Sequence, residues 1–296
     1  MILKVENLSK NYGSKAAVNS VDLEINRGEV YGLLGPNGSG KTTTLGMILG
    51  VIQPSRGVIR WFDSTNLALQ RKKIGALLEK PNFIPWLSGD ANLRMVSSIK
   101  GLKSPTKLVQ GVLKLTGLEK AASVKFSDYS LGMKQRLAIA STLLGSPDVL
   151  VLDEPTNGVD AAGISEIRSL ITQMADQGKT IILASHILDE VEKVCSHVGI
   201  MANGKILETG SIETVLSTDD HIEVMSTDQT RLQDIISKSP LVKDIKIKEN
   251  KILAYLKPGI QIFELNEYLV SQRIPVTHLT KKHKSLESHF LELLEK

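Results

Sequence analysis

Apolar and polar positions alternate along the first stretch of this chain. Leu3, Val5 and Leu8 mark one strand, and Val21, Leu23 and Ile25 alternate with polar neighbours in another, the period of two expected of half-buried strands. Asn26-Arg27-Gly28-Glu29 reads as a turn. Val30-Tyr31-Gly32-Leu33-Leu34 then runs without a break, as a strand buried on both faces does. A helical pattern covers Thr43 to Leu49, and Val58 to Phe62 reads as another short strand. Residues 84–146 change character and predict a mostly helical subdomain, punctuated at Gly101, Ser104-Pro105 and Gly117. Asp148 to Asp153 and Thr180 to Ser185 are continuous apolar strands again. Between them Ile164, Ile167, Leu170, Ile171 and Met174 fall at helical spacing within Gly163–Gln177. Strand, helix and strand make a βαβ unit, which predicts an α/β domain on a parallel sheet.

The polar run Ser217-Thr218-Asp219-Asp220 predicts a boundary, with domains at 1–216 and 217–296. The second domain reads as strand 221–225, helix 229–237, strand 241–248, a turn at Glu249-Asn250, strand 251–256, helix 260–272, strand 274–279 and helix 285–295. Ser285 is the expected N-cap of the last helix, with Ser288 rather than Glu at N3. The order βαββαβ predicts a small α+β domain of ferredoxin-like type.

Composition narrows the picture. With 296 residues, 42% of them apolar, the chain can build one large core and a small one. Its net charge is only +4, and no concentrated basic footprint argues for nucleic acid. One cysteine, Cys195, suits a reducing compartment. No apolar run reaches the length of a membrane span, and Met1-Ile2-Leu3-Lys4-Val5-Glu6 lacks a signal-peptide layout. The expectation is a chain soluble by itself, for which any membrane role needs a separate partner.

Two segments carry chemistry. Gly35-Pro36-Asn37-Gly38-Ser39-Gly40-Lys41-Thr42, with Thr43 beside it, fits the phosphate-binding P-loop. A buried strand precedes it and a helix follows, so backbone N–H groups and the helix N-terminus can face a polyphosphate. Lys41 would reach the β- and γ-phosphates and the Thr42 hydroxyl would ligate Mg²⁺. The second segment, Val149-Leu150-Val151-Leu152-Asp153-Glu154, is an apolar strand ending in two carboxylates. Asp153 has the place of a Walker-B aspartate on the Mg²⁺ side, and Glu154 is placed to polarise an attacking water.

These motifs, in this order, resemble the ATP-binding subunits of ABC transporters over about residues 1–215. Tyr129-Ser130-Leu131-Gly132-Met133-Lys134-Gln135-Arg136 is similar to the signature of that family, usually Leu-Ser-Gly-Gly-Gln; Ser130 and Gly132 match, while Tyr129, Leu131 and Met133 depart. The resemblance implies that Ser130 and Gly132 bind the γ-phosphate of an ATP held by an opposite subunit. It makes Asp160, in Asn157-Gly158-Val159-Asp160, the D-loop aspartate. It makes His186 a switch residue on the γ-phosphate and Tyr12 the aromatic that stacks on adenine. The family usually has Gln where this chain has Glu79; a carboxylate there would ligate Mg²⁺ more strongly than an amide. A dimer closing around two ATP molecules is implied, as homodimer or heterodimer, together with a polytopic membrane subunit as partner and a peripheral place on the cytoplasmic face of the membrane.

Glu79 together with Ser-Leu-Gly-Met-Lys-Gln-Arg resembles the bacitracin-resistance and lantibiotic-immunity branch, which implies export of antimicrobial or other amphipathic peptides. Pro81-Asn82-Phe83-Ile84-Pro85-Trp86-Leu87 is a candidate surface for the membrane subunit, with packing inside the helical subdomain as the competing reading. Lys281-Lys282-His283-Lys284 reads as a solvated helix lead-in rather than a lipid contact. Another function class is a soluble ABC ATPase acting on ribosomes or DNA; the single P-loop and the lack of sustained heptads argue against it. A third reading makes the second domain a regulatory or sensory module.

Overall fold

β1 (Leu3–Tyr12) and β2 (Lys15–Ile25) form an antiparallel hairpin in the computed structural model, which describes residues 1–79, 82–216, 221–248, 251–282 and 285–294. Asn7 and Ser20 both take left-handed φ of 52°. The resulting irregularity shifts the register between Val5 and Leu8, which is why the inward set reads 3, 5, 8 instead of keeping strict alternation. β3 (Val30–Leu34) follows with every residue buried. Next come α1 (Lys41–Ile48), β4 (Arg56–Trp61), the single turn α2 (Leu67–Gln70) and β5 (Ile74–Leu77). Phe62, expected to end the β4 strand, instead turns out of it with φ 51°.

The helical subdomain holds α3 (Gly89–Ile99), α4 (Pro105–Leu115) and α5 (Leu131–Leu143). Its own core joins Leu93, Val109, Leu113, Phe126, Tyr129 and Leu137. The chain then returns to the sheet through β6 (Val149–Asp153), α6 (Ala161–Asp176), β7 (Thr180–Ser185), α7 (Leu188–Val194), β8 (His197–Ala202) and β9 (Lys205–Ser211).

Two sheets organise this part. The antiparallel one runs β2-β1-β4, and the larger one runs β5-β6-β7-β3-β8-β9, parallel except for β9. Leu45, Met47 and Ile48 of α1 share one core cluster with residues of both sheets. The parallel pairing puts the C-terminal ends of β3, β5, β6 and β7 along one edge, where ligands bind in open α/β sheets.

The chain divides into two compact units, Met1–Ile212 and Glu213–Lys296, at the start of α8 (Ile212–Leu216). The second unit contains β10 (His221–Ser226), α9 (Gln229–Ser237), β11 (Val242–Lys248), β12 (Lys251–Leu256), α10 (Ile262–Ser271), β13 (Val276–Lys282) and α11 (Leu286–Leu294). Its sheet is antiparallel in the order β11-β12-β10-β13. That is second-third-first-fourth within the unit, the split-βαβ arrangement expected from the pattern. Its core is Ile222, Val224, Leu232, Ile236, Ile252, Ala254, Leu265 and Leu269. The last strand begins later than expected because Arg273 is left-handed, φ 55°, and closes α10 with a hydrogen bond from its N–H to Val270 O at 2.9 Å. Ser285 caps α11, accepting from Ser288 N at 3.2 Å. The boundary residues 217–220, the turn at 249–250, Pro81, positions 283–284 of the basic run and position 295 of the final helix lie outside the described residues. Among the described residues no helix is long and apolar enough to cross a membrane.

Candidate nucleotide-binding site

The loop after β3 is held by backbone that excludes side chains. A Cβ on Gly35 would lie 2.2 Å from the Met201 carbonyl oxygen, and one on Gly40, at φ 108°, would lie 2.7 Å from Ala17 O. Gly38 takes φ 81°, open to glycine at no steric cost. Gly40 precedes α1 without any side-chain cap, so the N-terminal amides of that helix have no partner from a capping side chain and present positive potential. Lys41 folds back over the loop. It is 5% exposed, and its Nζ donates to Gly35 O at 2.7 Å and to Pro36 O at 3.3 Å.

The parallel sheet delivers the other groups. Asp153 ends β6, 3% exposed, and its Oδ1 has no hydrogen-bond partner. Burial pushes its carboxyl up from the usual range; the Thr42 hydrogen bond opposes this, Glu154 raises it, Lys41 opposes and Glu79 raises it further. Glu154 follows with left-handed φ of 48°, pinned by its N–H to Ala184 O at 2.9 Å. That turn aims its side chain across to β3 and β7. Oε1 lies 3.5 Å from Lys41 Nζ and Oε2 lies 2.7 Å from His186 Nδ1, just past the end of β7. Lys41, Glu154 and His186, far apart in sequence, thus form one chain of contacts. Glu79, also left-handed at φ 56°, is exposed beyond the end of β5 beside β6.

A cleft of about 450 Å³ opens here, lined by Asn37, Gly38, Gly40, Lys41, Thr42, Thr43 and Glu154. Its remaining wall is Lys15, Ala16, Ala17, Asn203 and Gly204, none of which the sequence reading singled out. Asn203 and Gly204 form the β8–β9 turn with φ of 49° and 77°, the pattern of a two-residue Asn-Gly hairpin. Gly204 N donates to Ser39 O at 2.9 Å, and Gly204 O accepts from Asn19 N at 2.7 Å. The dipeptide signals the turn; only the folded chain shows that it clasps the P-loop. Tyr12 ends β1, pairs with cleft-lining Lys15, is 52% exposed, and carries Lys10 Nζ 5.1 Å from its ring centroid.

Ser130, Gly132 and Asp160 are not among the residues lining this cleft. Ser130 caps α5, its Oγ accepting from Met133 N at 3.2 Å. Asp160 caps α6, accepting from Gly163 N at 3.1 Å. The two helix starts meet at glycines: the Cα of Gly163 lies 3.8 Å from the place of a Gly132 Cβ. Tyr129, the first departure from the signature, is 3% exposed and donates to Ala121 O at 2.8 Å. A Cβ on Gly89 would lie 2.1 Å from its hydroxyl, so the larger residue is accommodated by a glycine at the start of α3. The apolar segment 82–87 divides: Phe83 packs edge-on against Phe126 at 5.2 Å, while Trp86 is 72% exposed.

The donors fit a hard divalent cation. The unpartnered Asp153 oxygen and the Thr42 hydroxyl beside it are oxygen ligands, and among the described residues no group of three His, Cys, Asp or Glu gathers to make a cage. Mg²⁺ is typically held this way, by one or two carboxylates with phosphate and water completing its shell. Thr42, Asp153 and Glu79 would hold it, and bound there it would neutralise phosphate charge.

The ABC transporter family model matches residues 18–157. The chain is 34% identical over 298 aligned positions to the bacitracin transport ATP-binding protein BcrA of Enterococcus faecalis, covering 99% of this chain and 96% of that protein. It is 39% identical over 206 positions to the lantibiotic transport ATP-binding protein SrtF of Streptococcus pyogenes, covering 70% of this chain and 89% of that one. Among solved structures, the dimeric post-hydrolysis ATP-binding cassette MJ0796, bound to ADP and Pi, aligns with a TM-score of 0.65 at 27% identity over 71% of this chain and 99% of that one. Motif order, cleft and full-length similarity agree: the chain belongs to the ATP-binding subunits of ABC transporters, ATPases whose hydrolysis is coupled to transport.

Proposed function

We propose that this protein binds ATP with Mg²⁺, works as a dimer of ATPase subunits, and powers a separate membrane-spanning partner that exports antimicrobial peptides of the bacitracin or lantibiotic kind. The observation that carries the substrate class is the similarity to BcrA, which runs through the second unit as well as the ATPase unit. The ribosome- or DNA-acting reading draws no support from these relatives.

In this reading the P-loop amides and Lys41 hold phosphate, and Tyr12 at the mouth of the cleft stacks on the base. Glu154 orients the attacking water once nucleotide draws Lys41 away from it. His186, 2.7 Å from Glu154, holds that carboxylate in place and senses the γ-phosphate. Ser130, Gly132 and Asp160, outside the cleft of their own chain, serve the nucleotide of the partner subunit. Trp86, exposed on the segment before α3, meets the membrane subunit at the cytoplasmic face.

The test is a tagged pull-down from detergent-solubilised native membranes, followed by peptide-susceptibility assays of a deletion strain. Stoichiometric recovery of a polytopic protein, with bacitracin or lantibiotic sensitivity in the deletion, is the expected result. Trp86→Ala should keep ATPase activity and lose the partner. Recovery with ribosomes or nucleic acid would overturn the transporter reading, and unchanged susceptibility would overturn the peptide assignment.

A further inference from the structure

The second unit has a concavity of its own. It measures about 580 Å³, within the size range of small-ligand pockets. It lies where β10 and β11 begin and β12 and β13 end. Lys243, Lys246, Lys257 and Lys281 line it with His221, and Asp244 is the one carboxylate among the described lining residues. Residues 218–296 carry 12 basic and 12 acidic side chains, so the described lining is more basic than the unit as a whole.

Lys243, Lys246 and Lys257 stand in none of the ion pairs among the described residues. Lys238–Asp234, Lys251–Glu223 and His278–Glu223 are pairs of this unit, and none of these residues is among the described lining of the concavity. Asp244 turns its Oδ1 to the N–H of Ile245 at 2.9 Å. The ladder orients the rest. Lys246 pairs with Leu253 and Asp244 with Tyr255, so Lys246 and Tyr255 share a sheet face. Lys246 Nζ lies 5.4 Å from the Tyr255 ring centroid, and the His221 ring lies 5.7 Å from it. The rim is the turn Lys257-Pro258-Gly259-Ile260, closed by Ile260 N to Lys257 O at 3.2 Å with Gly259 at φ 87°. Pro followed by a left-handed Gly is the chemistry of a type II turn, which fixes where Lys257 stands.

The ammonium groups of Lys243, Lys246 and Lys257 around one concavity, with Asp244 the one carboxylate among its described lining residues, repel one another, and a bound anion of more than one charge relieves that. Lysine binds phosphate as a point charge. We propose that this concavity is a binding site for a phosphate-bearing anion, separate from the P-loop cleft. The same chemistry is offered by a soluble phosphorylated molecule and by an anionic lipid headgroup, and the experiment separates the two sources.

The full chain, its P-loop saturated with MgADP, is titrated calorimetrically with inorganic pyrophosphate. In parallel it is sedimented with vesicles of phosphatidylglycerol in phosphatidylcholine. Binding in at least one arm is expected. Lys246→Gln/Lys257→Gln should weaken it by at least about fivefold, as loss of charge-assisted contacts does. Lys248→Gln, on the same strand but outside the concavity, should leave it unchanged, and basal ATPase activity should be the same in all three proteins. Lys257→Gln alone, on the rim turn, replaces the double variant should the latter fail to fold. Pyrophosphate binding without vesicle binding identifies a soluble ligand; the reverse identifies a headgroup. No binding in either arm, or equal weakening by Lys248→Gln, overturns the proposal.

Discussion

Replacing Asp153 by Asn should make the ligand-free protein more stable and the nucleotide-bound protein less so. Asp153 is 3% exposed with one oxygen unpartnered, and a buried polar group left unsatisfied costs about 1–3 kcal/mol, more when charged. Asn keeps the shape and removes the charge, at the expense of a weaker bond with Thr42. A net gain of about 1–2 kcal/mol follows, or about 2–8 °C in the unfolding midpoint of a unit of this size. The pH dependence has a fixed sign. Burial raises the Asp153 carboxyl in the folded state, so the proton-linked stability is complete below the ordinary carboxylate range and is lost as pH rises through the raised value. The wild type should therefore fall behind Asp153→Asn with rising pH. MgADP at 100 times its dissociation constant adds about 2.7 kcal/mol to the wild type; the variant should lose most of that increment. Thermal unfolding with and without MgADP, across pH, reads both effects. A ligand-free variant no more stable than wild type, or one that keeps the full MgADP increment, would refute the role of Asp153 as an uncompensated charge awaiting a cation.

Three further outcomes are expected. Glu154→Gln should bind ATP, lose at least about 100-fold in turnover and accumulate as a closed dimer on size exclusion with light scattering; normal turnover would remove Glu154 from its role. Glu79→Gln should raise the Mg²⁺ concentration needed for half-maximal ATPase activity, because an amide is the weaker ligand; an unchanged Mg²⁺ profile would show that Glu79 is only solvent-facing. Gly89→Ala should destabilise the helical subdomain by about 1–3 kcal/mol through overpacking against the Tyr129 hydroxyl. Adding Tyr129→Leu should recover most of that loss in chemical denaturation, and no recovery would mean the clash is relieved elsewhere.

Local sequence made the P-loop legible because strand, glycine turn and helix start all lie within one stretch, Val30 to Ile48. The βαββαβ order of the second unit was legible for the same reason, since alternation and helical spacing report which face of each element is buried. The bulges at Asn7 and Ser20 were not, because neither residue is followed by the glycine that marks a left-handed turn such as Asn203-Gly204. Nor was the split of residues 82–87 between a half-buried Phe83 and an exposed Trp86, since both read simply as apolar.

The sequence by itself determined which residues carry the chemistry: Lys41, Thr42, Asp153, Glu154 and His186 each stand at the end of a recognisable strand or the start of a helix. The tertiary structure alone decided that they meet. The strand order β5-β6-β7-β3-β8-β9 departs from chain order, and it is that order which places Glu154 between Lys41 and His186 and puts the Asn203-Gly204 turn against the P-loop. Local pattern reports only whether a face is buried. Which buried face lies beside which is settled by packing and by hydrogen-bond ladders between separate segments, 32 residues apart for Glu154 and His186 and more than a hundred apart for β3 and β7, and no local pattern in one segment names its partner in the other.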